Sequence, residues 1–348
     1  MKNNTSNFSP ELQTLSRQIL KRLKVGINVI LVGKPGIGKS QFCENYVAKE
    51  LQADFELFHP VMANPAHLMG LPFQVEENGE NLAKFLPLDF MRKVMNAKKT
   101  LLVLIDDVGQ ATPIMQAAIM QLVESRTING KKIPDCVKFI LATNDVGQGA
   151  GVTKILAPLK SRTSIFNFHI PVSDWIKYME KNHSWHPIFS CFFTAFPAHA
   201  DKNEDSPKCE NTGNRRNWSR FSKVFDENDL TLEDVSADVG NELAKEFLSF
   251  YQTYKKSYKI FKQVETSWQG AEMLTKESDN TYFFAVIAAL VHNVNPKNAE
   301  SFGSYLYRYL QQDVNKETAF FGIKCLAEKE MTFQKSKTYT QAVALYNS

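Results

Sequence analysis

A glycine-rich run near the start of the chain has the residue types and spacing of a phosphate-binding loop. Residues 33–40 read GKPGIGKS and fill every fixed position of the pattern GxxxxGK(S/T). Glycines let backbone N–H groups close around phosphate oxygens, Lys39 would place a positive charge at the β- and γ-phosphates, and the Ser40 hydroxyl can ligate Mg²⁺. The pattern predicts that a nucleoside triphosphate is bound by Gly33, Lys34, Pro35, Gly36, Ile37, Gly38, Lys39, Ser40 and Gln41. A glycine-rich turn before an ordinary helix is the alternative interpretation.

The segments on either side of this run favour phosphate binding. Residues 28–32 form an apolar, strand-like stretch that leads straight into the run, and residues 40–50 are compatible with a helix. A helix that begins at the loop aims the positive end of its dipole at the same anion. Strand, loop and helix therefore follow one another in the order that the chemistry needs.

A second pattern supplies carboxylates. Residues 101–107 read LLVLIDD, an apolar strand that ends in two aspartates. Downstream of a phosphate loop, this order predicts that Asp106 holds the Mg²⁺ shell and that Asp107 orients or activates the attacking water. Taken alone, the pattern would more simply be a strand that ends in an acidic turn.

Two further polar residues follow later elements. A strand at residues 138–143 ends at Asn144, whose amide could hydrogen-bond the attacking water or the γ-phosphate. Arg162 ends a helix just before the last strand, and at a subunit edge it could reach the γ-phosphate of a neighbour. The alternatives are an ordinary turn asparagine and an arginine that complements the dipole at a helix C-terminus.

The elements that must position these residues alternate as in an α/β protein. Strands are predicted at residues 28–32, 55–58, 101–105, 137–142 and 164–168, and helices between them at 40–50, 88–97, 113–125 and 153–159. Because the strands are nearly continuous apolar runs, they predict a parallel sheet that is buried on both faces. A helix is also predicted up to Lys24, with Ser9 as its cap and Pro10 in its first turn.

Two Asn-Gly pairs predict β-hairpins within this order. Asn78-Gly79 lies between strand-like residues 73–76 and 82–85, and Asn129-Gly130 lies between residues 127–128 and 132–133. In both cases a surface loop is the alternative.

The pattern changes near residue 170, where strand-like runs stop. Helices are predicted beyond it at residues 174–181, 186–196, 216–225, 232–251 and 283–294, with a polar, mobile loop at 198–214. These features predict an N-terminal linker helix at 1–24, an α/β core at 25–170 and a helical region at 171–348. We interpret the aromatic residues beyond about residue 255 as core or interface.

Composition limits the class of protein. The chain has 348 residues, of which 43% are hydrophobic and 22% charged, as is typical of a soluble globular protein, and its net charge of +4 is too small to indicate a nucleic-acid partner. Its five cysteines lack the CxxC spacing of zinc sites. No signal peptide opens the chain, and the longest apolar stretch, residues 283–291, is too short to cross a bilayer. We therefore expect a protein of the reducing cytoplasm that has no membrane contact.

In their order and spacing, the segments GKPGIGKS, LIDD, LATND and SR resemble those of an AAA+ ATPase. Within that superfamily the sequence is most similar to the MoxR-like branch. Residues 64–72, 85–87 and 121–126 resemble the branch's "DP-DL-G-P" loop, the LP segment after its first hairpin and its LLE-R helix end. The resemblance covers residues from about 10 to 225 and is absent beyond them.

This resemblance implies an α/β fold with an AAA+ P-loop core, a parallel sheet and β-hairpin inserts, followed by an α-helical lid and a C-terminal helical region. It implies a Mg²⁺-dependent ATPase that works as a ring, usually a hexamer, and remodels a protein partner, commonly alongside a von Willebrand A domain protein. It also implies Asn144 as first sensor and Arg162 as arginine finger. Residues 214–218, NRRNW, resemble the family's lid helix start SPRSW, which places the second sensor at Arg216, with Arg215 as the alternative.

The sequence departs from the family pattern at three places. Asp107 stands where the family has glutamate, Asn64 replaces an aspartate, and Asn214-Arg215 replace Ser-Pro. Because aspartate is one methylene shorter, we expect slow hydrolysis of ATP.

Two other functions remain open on the sequence. A nucleotide-gated scaffold would bind ATP and scarcely hydrolyse it, as Asp107 suggests. An ATP-driven motor on nucleic acid could present Lys131-Lys132 of the second hairpin to a ring pore. The weak net charge counts against the motor, and we identify no run of basic and aromatic residues that would favour it.

Overall fold

The computed structural model describes residues 8–145, 155–182, 185–202, 210–274, 280–312 and 315–347. Contacts divide the chain into two compact units, of which the first extends to Asp174 and the second begins at Trp175. The first unit contains the strands, and the described part of the second is helical.

The strands form one central sheet and two hairpins. They are β1 (Val29–Val32), β2 (Asp54–Phe58), β3 (Leu71–Glu77), β4 (Glu80–Leu86), β5 (Leu101–Ile105), β6 (Thr127–Ile128), β7 (Lys131–Lys132), β8 (Val137–Thr143) and β9 (Ser164–Asn167). The central sheet has the order β2-β5-β8-β1-β9, and all of its pairings are parallel. The carboxyl ends of its strands therefore lie along one edge.

The α-helices follow the predicted alternation. They are α1 (Pro10–Lys24), α2 (Lys39–Phe42), α3 (Ala48–Glu50), α4 (Ala66–Met69), α5 (Asp89–Met95), α6 (Pro113–Ser125), α7 (Ala157–Ser161), α8 (Val172–Asn182), α9 (Pro187–Ala195), α10 (Arg215–Phe221), α11 (Leu232–Val239), α12 (Asn241–Thr266), α13 (Asn280–His292), α14 (Ala299–Gln311), α15 (Lys316–Lys329) and α16 (Lys337–Asn347). Helix α1 begins as predicted, because the Ser9 hydroxyl accepts the N–H of Leu12 and Pro10 opens the first turn. None of the described helices is long and apolar enough to cross a membrane.

The sheet is covered by apolar side chains on both faces. Alternate residues of β5 enter two different clusters: Val103 packs with the side chains of α6, and Leu102 packs with those of α1. All five residues of β5 are buried. This double burial explains why the strands are continuous apolar runs. The predicted fold class, an α/β core with a parallel sheet and hairpin inserts followed by a helical region, is confirmed.

Both Asn-Gly pairs form the turns of hairpins. Asn78 and Asn129 adopt positive φ angles of 54° and 49°, each followed by a glycine of positive φ. Strands β3 and β4 pair over seven residues each, from Leu71 opposite Leu86 to Glu77 opposite Glu80. In the second hairpin the strand after the turn is β7, one residue earlier than predicted.

Two predicted helices differ in the structure. The helix predicted at 232–251 is two helices, because Gly240 has φ 85° and its α-carbon lies so close to the Asn211 carbonyl that a Cβ would come within 2.4 Å of that oxygen. The helix predicted at 40–50 consists of α2, a π-helical turn at Cys43–Val47, and α3. Part of the helix predicted at 153–159 and of the loop predicted at 198–214 lies outside the described residues.

Candidate functional site

Three neighbouring strands bring the predicted nucleotide residues together. In the central sheet β8 lies between β5 and β1. The loop at 33–38 follows β1, Asp106 and Asp107 follow β5, and Asn144 follows β8. Since the strands are parallel, all of these residues lie at the same edge of the sheet.

Glycine is required at several positions of the loop. Gly36 and Gly38 have φ angles of 76° and 99°, which L side chains adopt only with strain. At Gly33 a Cβ would come within 2.4 Å of the Phe168 carbonyl oxygen, so the chain there passes too close to the segment after β9 for any side chain. The loop ends at the N-terminus of the helical segment that begins with Lys39. The spacing of the glycines thus follows from backbone geometry that a phosphate cradle also needs.

The Lys39 ammonium is the best-connected group of the site. The side chain is buried, and Nζ donates to the carbonyl oxygens of Gly33 at 2.8 Å and Lys34 at 3.0 Å. It also donates to Oδ1 of Asn144 at 2.9 Å. Because it is costly to bury a positive charge without a compensating one, a buried ammonium favours an anion nearby. Lys39 and Asn144, predicted from separate motifs, are therefore in direct contact.

Ser40 and Asp106 form the second contact of the site. The Ser40 hydroxyl donates to Oδ2 of Asp106 at 2.5 Å, and the Asp106 side chain is mostly buried. A hydroxyl and a carboxylate are hard oxygen ligands, and Mg²⁺ commonly takes only one or two protein ligands beside water and phosphate oxygens. Among the described residues no group of three or more His, Cys, Asp or Glu side chains could hold a metal by itself. The donor set at Ser40 and Asp106 therefore fits Mg²⁺ that arrives with a nucleotide.

Asp107 lies beside this pair in an uncommon backbone conformation. Its φ and ψ angles are 55° and 35°, in the left-handed region where Asp and Asn are enriched among non-glycine residues. Oδ1 of Asp107 accepts a hydrogen bond from Nδ2 of Asn144 at 3.3 Å. The backbone N–H of Asp107 donates to Oδ1 of Asp106 at 3.0 Å. Asn144 therefore bridges the cation Lys39 and the carboxylate Asp107.

Cys43 is a buried thiol in the helical segment that follows the loop. It is completely buried, and this burial, together with the nearby negative charge of Asp106, raises the pKa of its thiol. The sulfur is therefore a protonated, unreactive thiol at neutral pH.

Arg162 lies at the opposite edge of the sheet. It lies two residues before Ser164, the first residue of β9, which pairs with Val29, the first residue of β1. Strand β1 has four residues, which at about 3.3 Å each separate its two ends by roughly 13 Å. The guanidinium forms an ion pair with Glu124 and donates to the Pro158 carbonyl at 2.9 Å. The Arg162 side chain therefore lies far from the loop of its own chain.

The two arginines predicted as candidates for the second sensor differ sharply in environment. Arg215 is buried and makes a bidentate pair with Asp201, with both N–O distances 2.7 Å, and its guanidinium lies over the Trp175 ring. Arg216, the next residue, is exposed. Arg215 therefore stabilises the helical unit, and Arg216 has a side chain free to contact a ligand or partner.

This difference predicts opposite outcomes for two alanine variants. Arg215→Ala is expected to destabilise the protein by about 3–5 kcal/mol, because it leaves the Asp201 carboxylate unpaired in a mostly buried place. Arg216→Ala is expected to change stability by no more than about 0.5 kcal/mol. Thermal and urea unfolding of the two variants measure this difference. Equal destabilisation would contradict the assignment of Arg215 to structure.

Two partners in these interactions were not singled out from sequence. Glu124 belongs to a helix end that resembles the family pattern, but the pattern does not indicate that its carboxylate contacts Arg162. Asp201 lies in a stretch predicted to be a mobile loop, whereas the structure ties its carboxylate to Arg215. A bidentate pair between residues fourteen positions apart leaves no periodic signal in a sequence.

No family model matches the sequence, and no curated protein matches it. Among solved structures, the chain is similar to a candidate ATPase from Cytophaga hutchinsonii, with a TM-score of 0.34 and 17% identity over 50% of this chain and 51% of that one. This chain thus spans about half the length of that protein. It is also similar to a point mutant of RuvB from Thermotoga maritima, with a TM-score of 0.38 and 16% identity over 86% and 87% of the two chains. Both likenesses are remote.

Proposed function

We propose that this chain is an AAA+ ATPase of the MoxR-like type that binds and hydrolyses Mg²⁺-ATP. The observation that carries the proposal is the contact of Lys39, Asn144 and Asp107 in one chain of hydrogen bonds, beside the Ser40–Asp106 pair. These five residues come from three separate motifs, and a glycine-rich turn without function would not need them to meet. A phosphate loop, a metal-binding pair, a sensor and a carboxylate for water are the parts that hydrolysis of a phosphoanhydride requires.

Each residue has a distinct task in this proposal. The loop N–H groups and the Lys39 ammonium bind the β- and γ-phosphate oxygens. Ser40 and Asp106 hold Mg²⁺, which when bound neutralises charge that develops on the phosphate oxygens. Asp107 accepts a proton from the attacking water or orients it, and the Asn144 amide fixes the Asp107 carboxylate at 3.3 Å.

We also propose that the enzyme works as a ring, usually a hexamer in this family, in which Arg162 completes the site of the next subunit. The support is the position of Arg162 at the amino edge of the sheet, where it cannot reach the loop of its own chain. In such rings the energy of hydrolysis commonly remodels a protein partner, and a von Willebrand A domain protein is the partner we propose.

A nucleotide-gated scaffold is the second candidate. The observation that favours it is Asp107, whose side chain is shorter than the glutamate of the family and whose backbone is left-handed. Such a protein would assemble on binding ATP and turn it over rarely.

Loss of the Lys39 ammonium tests the nucleotide site itself. Lys39→Ala is expected to weaken ATP binding by about 1.5–3 kcal/mol, or roughly ten- to a hundredfold in Kd, because a charge-assisted contact to the terminal phosphates is removed. Lys49→Ala is the matched control, since it removes an exposed ammonium at the end of the same helical segment. Calorimetric titration with a slowly hydrolysed ATP analogue measures the affinity of both variants. An Lys39→Ala protein that binds and hydrolyses ATP normally would refute the assignment of this loop.

A further inference from the structure

The longest helix of the second unit carries an unusual concentration of positive charge. Helix α12 has 26 residues, and from residue 247 to 264 its sequence FLSFYQTYKKSYKIFKQV contains no aspartate or glutamate. Within this stretch, four lysines lie between residues 255 and 262. We call these residues, Lys255, Lys256, Lys259 and Lys262, the lysine face.

The four lysines occupy one side of the helix because the other side is core. The buried positions in this part of α12 include Tyr254, Ser257, Ile260, Phe261 and Val264. Between residues 251 and 263 the exposed positions are the four lysines, Gln252 and Tyr258. At 100° per residue, Lys262, Lys255, Lys259 and Lys256 fall in that order within an arc of about 120°. The solvent side of this part of α12 is therefore almost entirely cationic.

The ammonium groups of the lysine face contact aromatic rings more often than carboxylates. Lys255 lies over the Tyr251 ring at 4.3 Å, and Lys262 lies within 5.6 Å of the Tyr258 and Phe261 rings. Among the residues that the structure describes, the lysine face has one ion pair, from Lys262 to Glu265 at 2.8 Å. The positive potential of the face is therefore only weakly neutralised by the protein.

We infer that the lysine face binds the phosphate backbone of a nucleic acid. Successive lysines at Lys255, Lys259 and Lys262 lie one helical turn apart, with about 5–6 Å between their Cβ atoms, so the face presents a line of positive charge to a line of phosphates. The ring of Tyr258, 43% exposed, lies at the border of the face, where an unstacked base could pack on it. A line of lysines that matches a line of phosphates, with no aliphatic side chain beside it, is typical of proteins that bind the nucleic-acid backbone.

Other anionic partners fit this surface less well. A protein interface needs a desolvated, largely apolar centre in which lysine is depleted. A peripheral membrane helix needs apolar side chains on the face that enters the lipid. The lysine face exposes no aliphatic side chain between residues 251 and 263, which leaves a polyphosphate backbone as the matching chemistry.

This corrects the expectation that the chain has no basic-aromatic run. Residues 254–262 read YKKSYKIFK. The run is concealed in the sequence because its aromatic residues include core positions, and because acidic residues elsewhere reduce the net charge of the whole chain to +4. Only the helix geometry separates the buried rings from the exposed lysines.

The test measures binding of the full chain to a fluorescein-labelled DNA duplex and to one of its single strands, without nucleotide, between about 50 and 200 mM salt. Four phosphate contacts predict a slope of log K against log salt of about −3.6 on the duplex. In the double variant K255Q/K259Q the affinity is expected to fall and the slope to become shallower by about two. Glutamine preserves helix propensity, and circular dichroism checks that the helices are kept.

The matched control is K131Q/K132Q, which removes the same charge from the second hairpin and is expected to keep the native slope. Lys39→Ala is expected to keep it as well, which separates this inference from the proposed ATPase. Absence of salt-dependent binding by the native chain would overturn the inference. So would loss of binding in K131Q/K132Q but not in K255Q/K259Q, or tighter binding to anionic phospholipid vesicles or to polyglutamate than to DNA.

Discussion

Mixing two inactive variants, Arg162→Ala and Lys39→Ala, is expected to restore part of the ATPase activity that neither has alone. An arginine that stabilises the transferring phosphoryl group from a neighbouring subunit contributes on the order of 10³–10⁵ in rate. Arg162→Ala should therefore reduce turnover by that factor and leave ATP affinity nearly unchanged. In a mixed ring, some interfaces combine an intact phosphate loop with an intact Arg162, and these interfaces should hydrolyse ATP.

The expectation that Arg162 acts between subunits rests on its distance from the loop of its own chain. Arg162 precedes the first residue of β9, and the loop follows the last residue of the adjacent β1, so the whole length of a strand lies between them. The Arg162 side chain is 39% exposed and is held by Glu124, which is 41% exposed. A pair this open to solvent contributes little to stability, so the guanidinium can exchange Glu124 for a phosphate.

The experiment titrates one variant into the other at constant total protein and measures phosphate release. Lys160→Ala is the matched control, because it removes an exposed cation from the same helix end and should keep full activity. Co-assembly is verified with two affinity tags. If the variants co-assemble and no activity returns, Arg162 does not act across an interface.

Asp107→Asn is expected to stop hydrolysis and to retain ATP. The variant removes a carboxylate that takes up a proton, which in comparable enzymes contributes about 10²–10⁴ in rate. Lys39, Ser40 and Asp106 are unchanged, so nucleotide and Mg²⁺ should still bind. Asparagine also tolerates the left-handed backbone of residue 107, with φ 55° and ψ 35°, and therefore changes the chemistry without straining the turn.

Asp107→Glu tests the shorter side chain separately. The added methylene moves the carboxylate about 1 Å, a displacement that can change the rate by on the order of 10². We expect hydrolysis at least as fast as that of the native chain, with a lower thermal midpoint because glutamate is less suited than aspartate to a left-handed conformation. For Asp107→Asn and Asp107→Glu, single-turnover assays measure the rate of hydrolysis, and gel filtration measures how much nucleotide the protein retains. Unchanged turnover in Asp107→Asn would favour the nucleotide-gated scaffold instead.

Features that depend on local chemistry were predictable from the sequence. Helix α1 has the predicted bounds, and its start at Pro10 is a local signal, because Ser9 caps the helix and Pro10 opens its first turn. Strand β5 and helix α6 also match their predicted bounds, since an apolar run of five and a Thr112 cap followed by Pro113 are local signals. The proximity of Lys39, Asp107 and Asn144 was predictable for a similar reason, because parallel strands bring their carboxyl ends to one edge.

Features that depend on distant partners were not predictable. Gly240 ends α11 because it lies against Asn211, a contact that hydrophobic periodicity cannot indicate. Arg215 and Arg216 are adjacent and chemically identical in sequence, and only the Asp201 carboxylate separates their roles. The left-handed backbone of Asp107 and the pairing of Arg162 with Glu124 likewise arise from packing in three dimensions.

The oxygen acceptors that contact Lys39 have a consequence for the thermodynamics of the site. An ammonium has three hydrogens to donate, and the carbonyls of Gly33 and Lys34 and the amide of Asn144 accept from it at 2.8–3.0 Å. In the proposed complex, a phosphate oxygen that binds the Lys39 ammonium would compete with these acceptors for its hydrogens. Asn144 is then a competitor of the ligand: if ATP weakens the contact between Asn144 and Lys39, whatever strengthens that contact weakens ATP binding to the same degree.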